Sequence, residues 1–113
     1  VFDDVKDNFT IMKEEPFGPL VPVLTFKTFD EVIKRANDND LGLCSYLYTN
    51  SMDLANRGSE LLESGCVAVN TGAVAVAEAP FGGIKQTGYG REGGSGAIKD
   101  YLNVKYTHMG LKI

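Results

Sequence analysis

Six residues near the end of the chain, Gly88-Tyr89-Gly90-Arg91-Glu92-Gly93, spell G-x-G-x-x-G, the pattern in which glycines let backbone amides close on a dinucleotide pyrophosphate. That chemistry needs more than glycines: a strand feeding the first, a helix opening at the third, and an acid about 20 residues on for the ribose hydroxyls. Only Ile84-Lys85-Gln86-Thr87 separates Gly82-Gly83 from Gly88, and nothing acidic follows Asp100. The motif therefore reads, taken alone, as a glycine-rich surface turn with Arg91 and Glu92 solvated. Two cysteines, Cys44 and Cys66, and one histidine, His108, are the remaining soft or nucleophilic groups. The cysteines form no C-x-x-C, so neither a zinc site nor a disulfide framework is indicated; Cys44 falls in a predicted strand and Cys66 opens another, where buried thiols are ordinarily inert. No catalytic residue and no metal ligand is assigned.

The elements that would position these groups follow from periodicity and punctuation. Leu20–Phe26, rich in branched and aromatic residues, predicts a strand, with Pro22 where no ladder donor is needed. Thr28-Phe29-Asp30-Glu31 fits a capping box, and Phe29, Val32, Ile33 and Ala36 continue it as a short amphipathic helix ending near Asn37. Cys44–Thr49 predicts a second strand. A helix capped at Asn50-Ser51 then runs through Leu62, with Gly65 as a left-handed stop. Gly58 inside it costs about 1 kcal/mol relative to Ala, so either packing is close there or the helix is weak.

Val67–Asn70 predicts a third strand. The order β-α-β-α-β predicts an α/β fold with parallel strands and right-handed crossovers. From Thr71 to Gly96 a stretch of 26 residues carries eight glycines, longer than an ordinary connection and so expected to make contact with something. Ser95 is read as the cap of a last helix, and Val104–Met109 alternates like a strand that must pair backwards or with another domain or subunit.

Composition narrows the partners. The 113 residues carry 11 basic and 15 acidic side chains, a net charge of −4, so no basic stripe exists to neutralise nucleic acid. No apolar run approaches the ~18 residues of a membrane span. Unpaired thiols fit a reducing, cytoplasmic setting. The chain opens at Val1 in mixed apolar and acidic residues, like a piece of something longer.

Set in its surroundings, the glycine motif takes another meaning. Pro80-Phe81-Gly82-Gly83-Ile84-Lys85-Gln86-Thr87-Gly88-Tyr89-Gly90-Arg91-Glu92 resembles the P-F-G-G-x-K-x-S-G-x-G-R-E run of aldehyde dehydrogenases. Glu14–Pro19 resembles their E-E-x-F-G-P motif and Gly65–Asn70 their G-x-V-x-V-N strand, in the same order.

The resemblance implies the C-terminal portion of an enzyme that oxidises an aldehyde to a carboxylic acid with NAD or NADP. In that chemistry a cysteine thiolate attacks the carbonyl, hydride leaves to the nicotinamide, and the thioester is hydrolysed. The family's G-Q-x-C cysteine and its base lie upstream of the matched region, so the 113 residues alone are expected to be inactive. Residues 1–103 then correspond to part of the catalytic domain, and 104–113 to an oligomerisation strand and tail.

By the same resemblance, Glu15 accepts hydrogen bonds from the nicotinamide ribose and Phe17 flanks the nicotinamide ring. Ala73, Ala75 and Phe81 face the aldehyde from a funnel-lining loop. Succinate-semialdehyde dehydrogenases are the most similar branch. They commonly hold the substrate carboxylate with a serine where Ala75 stands, so a different ω-carboxylate or an aliphatic aldehyde is an alternative. A homodimer or homotetramer is implied. The competing reading from another class is a non-catalytic module for association through its unpaired strand.

Overall fold

The computed structural model describes residues 1–112. Helix α1 spans Phe29–Asn37 and starts where Thr28, in extended conformation, accepts the Glu31 amide on its Oγ1 at 3.2 Å. The Glu31 carboxylate reaches back one residue further than a capping box requires, to the Lys27 amide at 2.9 Å. Strand β1, Leu41–Gly42, leads directly to β2, Cys44–Leu47. Helix α2, Met52–Leu61, is capped by Ser51 Oγ, which accepts the Leu54 amide. Strand β3 is Cys66–Val69 and β4 is Ile84–Lys85.

The centre of the molecule is the parallel pair β2–β3, in which Cys44, Ser45, Tyr46 and Leu47 stand opposite Cys66, Val67, Ala68 and Val69. Helix α2 is the crossover between them and packs on both. Gly58 is where it comes closest: a Cβ there would meet Leu47 Cδ2 at 2.5 Å. Of the two explanations for that glycine, close packing is the one the structure shows. Antiparallel β1–β4 forms a second two-stranded pair and brings the glycine-rich segment back beside β2.

Four expectations change. Leu20–Phe26 is not a strand: its ladder consists of one bridge, in which Val21 O and the Val23 amide both bond Phe2, on either side of donor-less Pro22. The order is therefore α-β-β-α-β-β with one parallel and one antiparallel pair, rather than β-α-β-α-β. Gly65 is not a left-handed stop; it is small because the Gly82-Gly83 backbone lies against it. The helix predicted from Ser95 is a single 3-10 turn, Ala97–Tyr101, preceded by Gly96 and lacking a side-chain cap. Apart from these four, Val104–Met109 is exposed and pairs with no strand among the described residues.

Burial is sparse. Ala68, at 5% exposure, is the one buried apolar side chain among the described residues, while Phe17, Tyr89 and Val104 are fully exposed. The radius of gyration is 19.5 Å, against about 13 Å for a compact domain of this length. Much apolar surface is thus presented outward rather than folded into a core.

Candidate functional site

A groove of about 810 Å3 runs between the segment before α1, the β1–β2 junction and the Val74–Phe81 loop. Glu15 lies on its rim, exposed, and accepts no hydrogen bond from the described residues. Ala75 and Phe81 line the same groove, together with Leu43 from the β1–β2 junction and Cys44 and Ser45 from β2. Three of the five residues singled out from sequence therefore share one groove. The other two do not: Phe17 points to solvent, and Ala73 is exposed, its amide held in a local turn by Thr71 Oγ1.

The groove wall is set by close backbone approaches. Gly65 N donates to Gly42 O at 3.0 Å, and a Cβ on Gly65 would collide with Gly82 O and lie 2.9 Å from Gly83 Cα. The Gly42 amide donates to Thr87 Oγ1 at 2.8 Å. These contacts press the Pro80–Thr87 segment onto the start of β3, which is what carries Phe81 to the groove.

Lys85 fastens the far side of that segment. Its Nζ donates to the carbonyls of Asn37 and Asn39, each at 2.9 Å, and pairs with Glu63 Oε2 at 2.6 Å. It does so from a left-handed backbone, φ 56°, which places its side chain back over the end of α1. Asn37 completes the junction: its side chain donates to Leu61 O and accepts the Glu63 amide, tying the end of α1 to the end of α2. Asn70 clamps the end of β2, accepting the Thr49 amide and donating to the Thr49 carbonyl, both at 2.9 Å. Sequence reading assigned none of these three a role. Their signal was a polar residue closing an element, which tertiary partners alone make specific.

The glycine motif is closed on itself. The Arg91 amide donates to Asp100 Oδ2, the Glu92 amide to Phe81 O, and the Gly94 amide to Ala77 O. Arg91 Nη1 donates to Gly83 O and Gly90 O. Amides used in this way cannot receive a pyrophosphate, and neither a feeding core strand nor an α-helix flanks them. Gly88, Gly90, Gly93 and Gly94 all have positive φ, so the spacing reflects turn geometry.

Electrostatics at the periphery are simple. Arg35 grips both carboxylate oxygens of Asp7 at 2.8 and 3.0 Å and also donates to Thr25 O, tying the N-terminal segment to α1. Its hydrogen bonds hold the Asp7 carboxyl below its ordinary pKa. Burial, and secondarily the adjacent Cys66, push the Cys44 thiol up.

The fold is shared with known proteins. Residues 1–107 match the aldehyde dehydrogenase family. The chain belongs to that family. It is 47% identical over 108 residues to the succinate-semialdehyde dehydrogenase [NADP(+)] of Escherichia coli (strain K12), covering 96% of this chain and 22% of that protein. Over 105 residues it is 50% identical to retinaldehyde dehydrogenase 3 of Rattus norvegicus, covering 93% of this chain and 20% of that one. The NAD+ complex structure of the Bacillus cereus aldehyde dehydrogenase superposes with a TM-score of 0.88 at 45% identity, over 91% of this chain and 21% of that one.

The chain thus spans about a fifth of the length of the curated relatives it matches. The α/β fold with its parallel pair agrees with the family. Near-equal identity to proteins named for succinate semialdehyde and for retinaldehyde means that this segment tracks the family rather than the aldehyde.

Proposed function

We propose that this chain is the C-terminal part of an NAD(P)-dependent aldehyde dehydrogenase acting on a semialdehyde, and that it supplies one wall of the cofactor and substrate site. The observation that carries the reading is the shared groove, which Glu15, Ala75 and Phe81 all line. An exposed carboxylate is acceptor-only and fits a pair of ribose hydroxyls, so Glu15 is assigned to the nicotinamide ribose. Hydride acceptance is the chemistry the nicotinamide supplies when bound. Phe17 and Ala73, outside the groove, are assigned to the ring and the aldehyde on the strength of the motif alone.

Ala75 brings no hydroxyl to the aldehyde at its own position, which favours an aldehyde whose distal group is held elsewhere. Phe81 offers an apolar face. The thiolate and base are assigned outside these residues, and Cys44 and Cys66 are not the nucleophile. The exposed Val104–Met109 segment supports pairing with a second subunit, in a homodimer or homotetramer, and the free thiols suit a reducing, cytoplasmic setting.

The test is Glu15→Gln in the whole enzyme. Losing charge-assisted hydrogen bonds of about 1.5–3 kcal/mol raises the KM for the cofactor roughly ten- to a hundred-fold while the aldehyde KM stays put. An unchanged cofactor KM refutes the assignment.

A further inference from the structure

Cys44 and Cys66, 22 positions apart in sequence, are register partners at the first rung of the parallel pair β2–β3. Register partners on neighbouring strands project to the same face, and their backbones lie about 4.8 Å apart. That separation falls inside the roughly 4.4–6.8 Å range of Cα spacings that a disulfide spans. Both thiols are free and half-buried, and after burial it is the nearby Cys66 that raises the Cys44 thiol further. Cys44 also lines the groove described above, while Cys66 Sγ donates a weak hydrogen bond to Gly82 O at 3.8 Å. The pair therefore joins the groove wall to the glycine segment that carries Phe81.

We propose that Cys44 and Cys66 are a thiol–disulfide modification site, oxidised reversibly by a hydroperoxide. In the first step a Cys66 thiolate attacks one peroxide oxygen; the S–O bond forms, the O–O bond breaks, and hydroxide leaves and is protonated to water. In the second, Cys44 sulfur attacks the sulfenic sulfur; the S–S bond forms, the S–O bond breaks, and water leaves with the Cys44 proton. Two thiols lose two electrons in all, and hydrogen peroxide gains them as two waters. Burial of Cys44 suits it to the second role, because it stays protonated until it resolves the intermediate. A bridge between adjacent parallel strands cannot relax its backbone spacing freely, and strained bridges are the ones readily reduced. Closing it draws Cys66 Sγ from Gly82 O, so the oxidation state is written into the position of the glycine segment. None of this depends on the aldehyde dehydrogenase reading.

The experiment treats the native protein with hydrogen peroxide, blocks remaining thiols with iodoacetamide, and maps peptides by mass spectrometry without reduction. The expected product is a Cys44–Cys66 linked peptide lighter by two hydrogens than the sum of its parts. Dithiothreitol abolishes it, and it is absent from Cys44→Ala and Cys66→Ala, whose folding is checked by circular dichroism. The wild-type result decides the matter even if a variant fails to fold. Recovery of both cysteines as separate alkylated or sulfinic peptides, linkage to any other cysteine, or linkage only after denaturation overturns the proposal.

Discussion

Lys85 gives the sharpest handle on what holds the groove together. Its side chain is 25% exposed and makes three contacts, two to backbone carbonyls and one to Glu63, whose own side chain is 54% exposed. A hydrogen bond from a charged donor contributes about 1.5–3 kcal/mol, so the two carbonyl contacts set an upper range of about 3–6 kcal/mol. Asn37, Asn39 and Lys85 all border an open cleft, where water can take over as donor once the ammonium is gone, which roughly halves that figure. The half-exposed ion pair adds only about 0–1 kcal/mol. Lys85→Met is therefore expected to cost about 2 kcal/mol, and Glu63→Gln less than about 1 kcal/mol.

Urea unfolding of the whole protein followed by circular dichroism can read both. Lys85→Gly sharpens the argument, because glycine removes the left-handed backbone penalty of roughly 1–2 kcal/mol while losing the same contacts. A Lys85→Gly protein more stable than wild type, or a Lys85→Met protein with an unchanged midpoint, would show that the three contacts do not hold the segment.

The remaining expectations concern glycines and acid. Gly65→Ala must force the Gly82-Gly83 backbone away and is expected to destabilise by about 2–3 kcal/mol or more, whereas Gly58→Ala meets only the movable end of Leu47 and recovers helix propensity, so it stays within about 1 kcal/mol of wild type. Equal midpoints for the two variants in the same urea experiment would contradict the close approach at Gly65. Asp7 has a lowered pKa in the folded protein, so its contribution is full above the unfolded value of about 3.9 and is lost as pH falls through the lower, folded one. The stability gap between wild type and Asp7→Asn should hold steady from neutral pH into the weakly acidic range and then close; a gap that widens on acidification would be inconsistent with the Arg35 pairing.

Local signals were the legible ones. Thr28 and Ser51 announced their helices because a cap is completed within three residues of itself, and both accept the amides expected of them. The parallel pair was legible because β-branched and aromatic runs flank a crossover helix of the right length. Leu20–Phe26 and Val104–Met109 carried the same residue types, but a strand exists through its partner, and apart from Phe2 no neighbour supplies one among the described residues. Gly65 read as a turn residue because sequence shows only that a side chain is missing, not whether backbone freedom or a neighbouring backbone requires it. Glu15 came from the E-E-x-F-G-P motif and Ala75 and Phe81 from the Thr71–Phe81 loop, and the approach of Gly82-Gly83 to Gly65 beside Phe81 is a tertiary contact that no periodicity encodes.

Most of the apolar side chains left uncovered, Phe17, Tyr89, Tyr101 and Val104 among them, lie in the segments flanking the strand pair, with Tyr46 on β2 the one exposed on the pair itself. A segment whose ordered centre is held by polar clamps at Asn37, Asn70 and Lys85, and whose apolar residues face outward, can keep its local geometry while offering those faces to other chain. That arrangement suits a wall of a larger site better than a free-standing module, because burying the outward faces against neighbouring structure would gain about 25 cal/mol per Å2 that the 113 residues do not obtain among themselves.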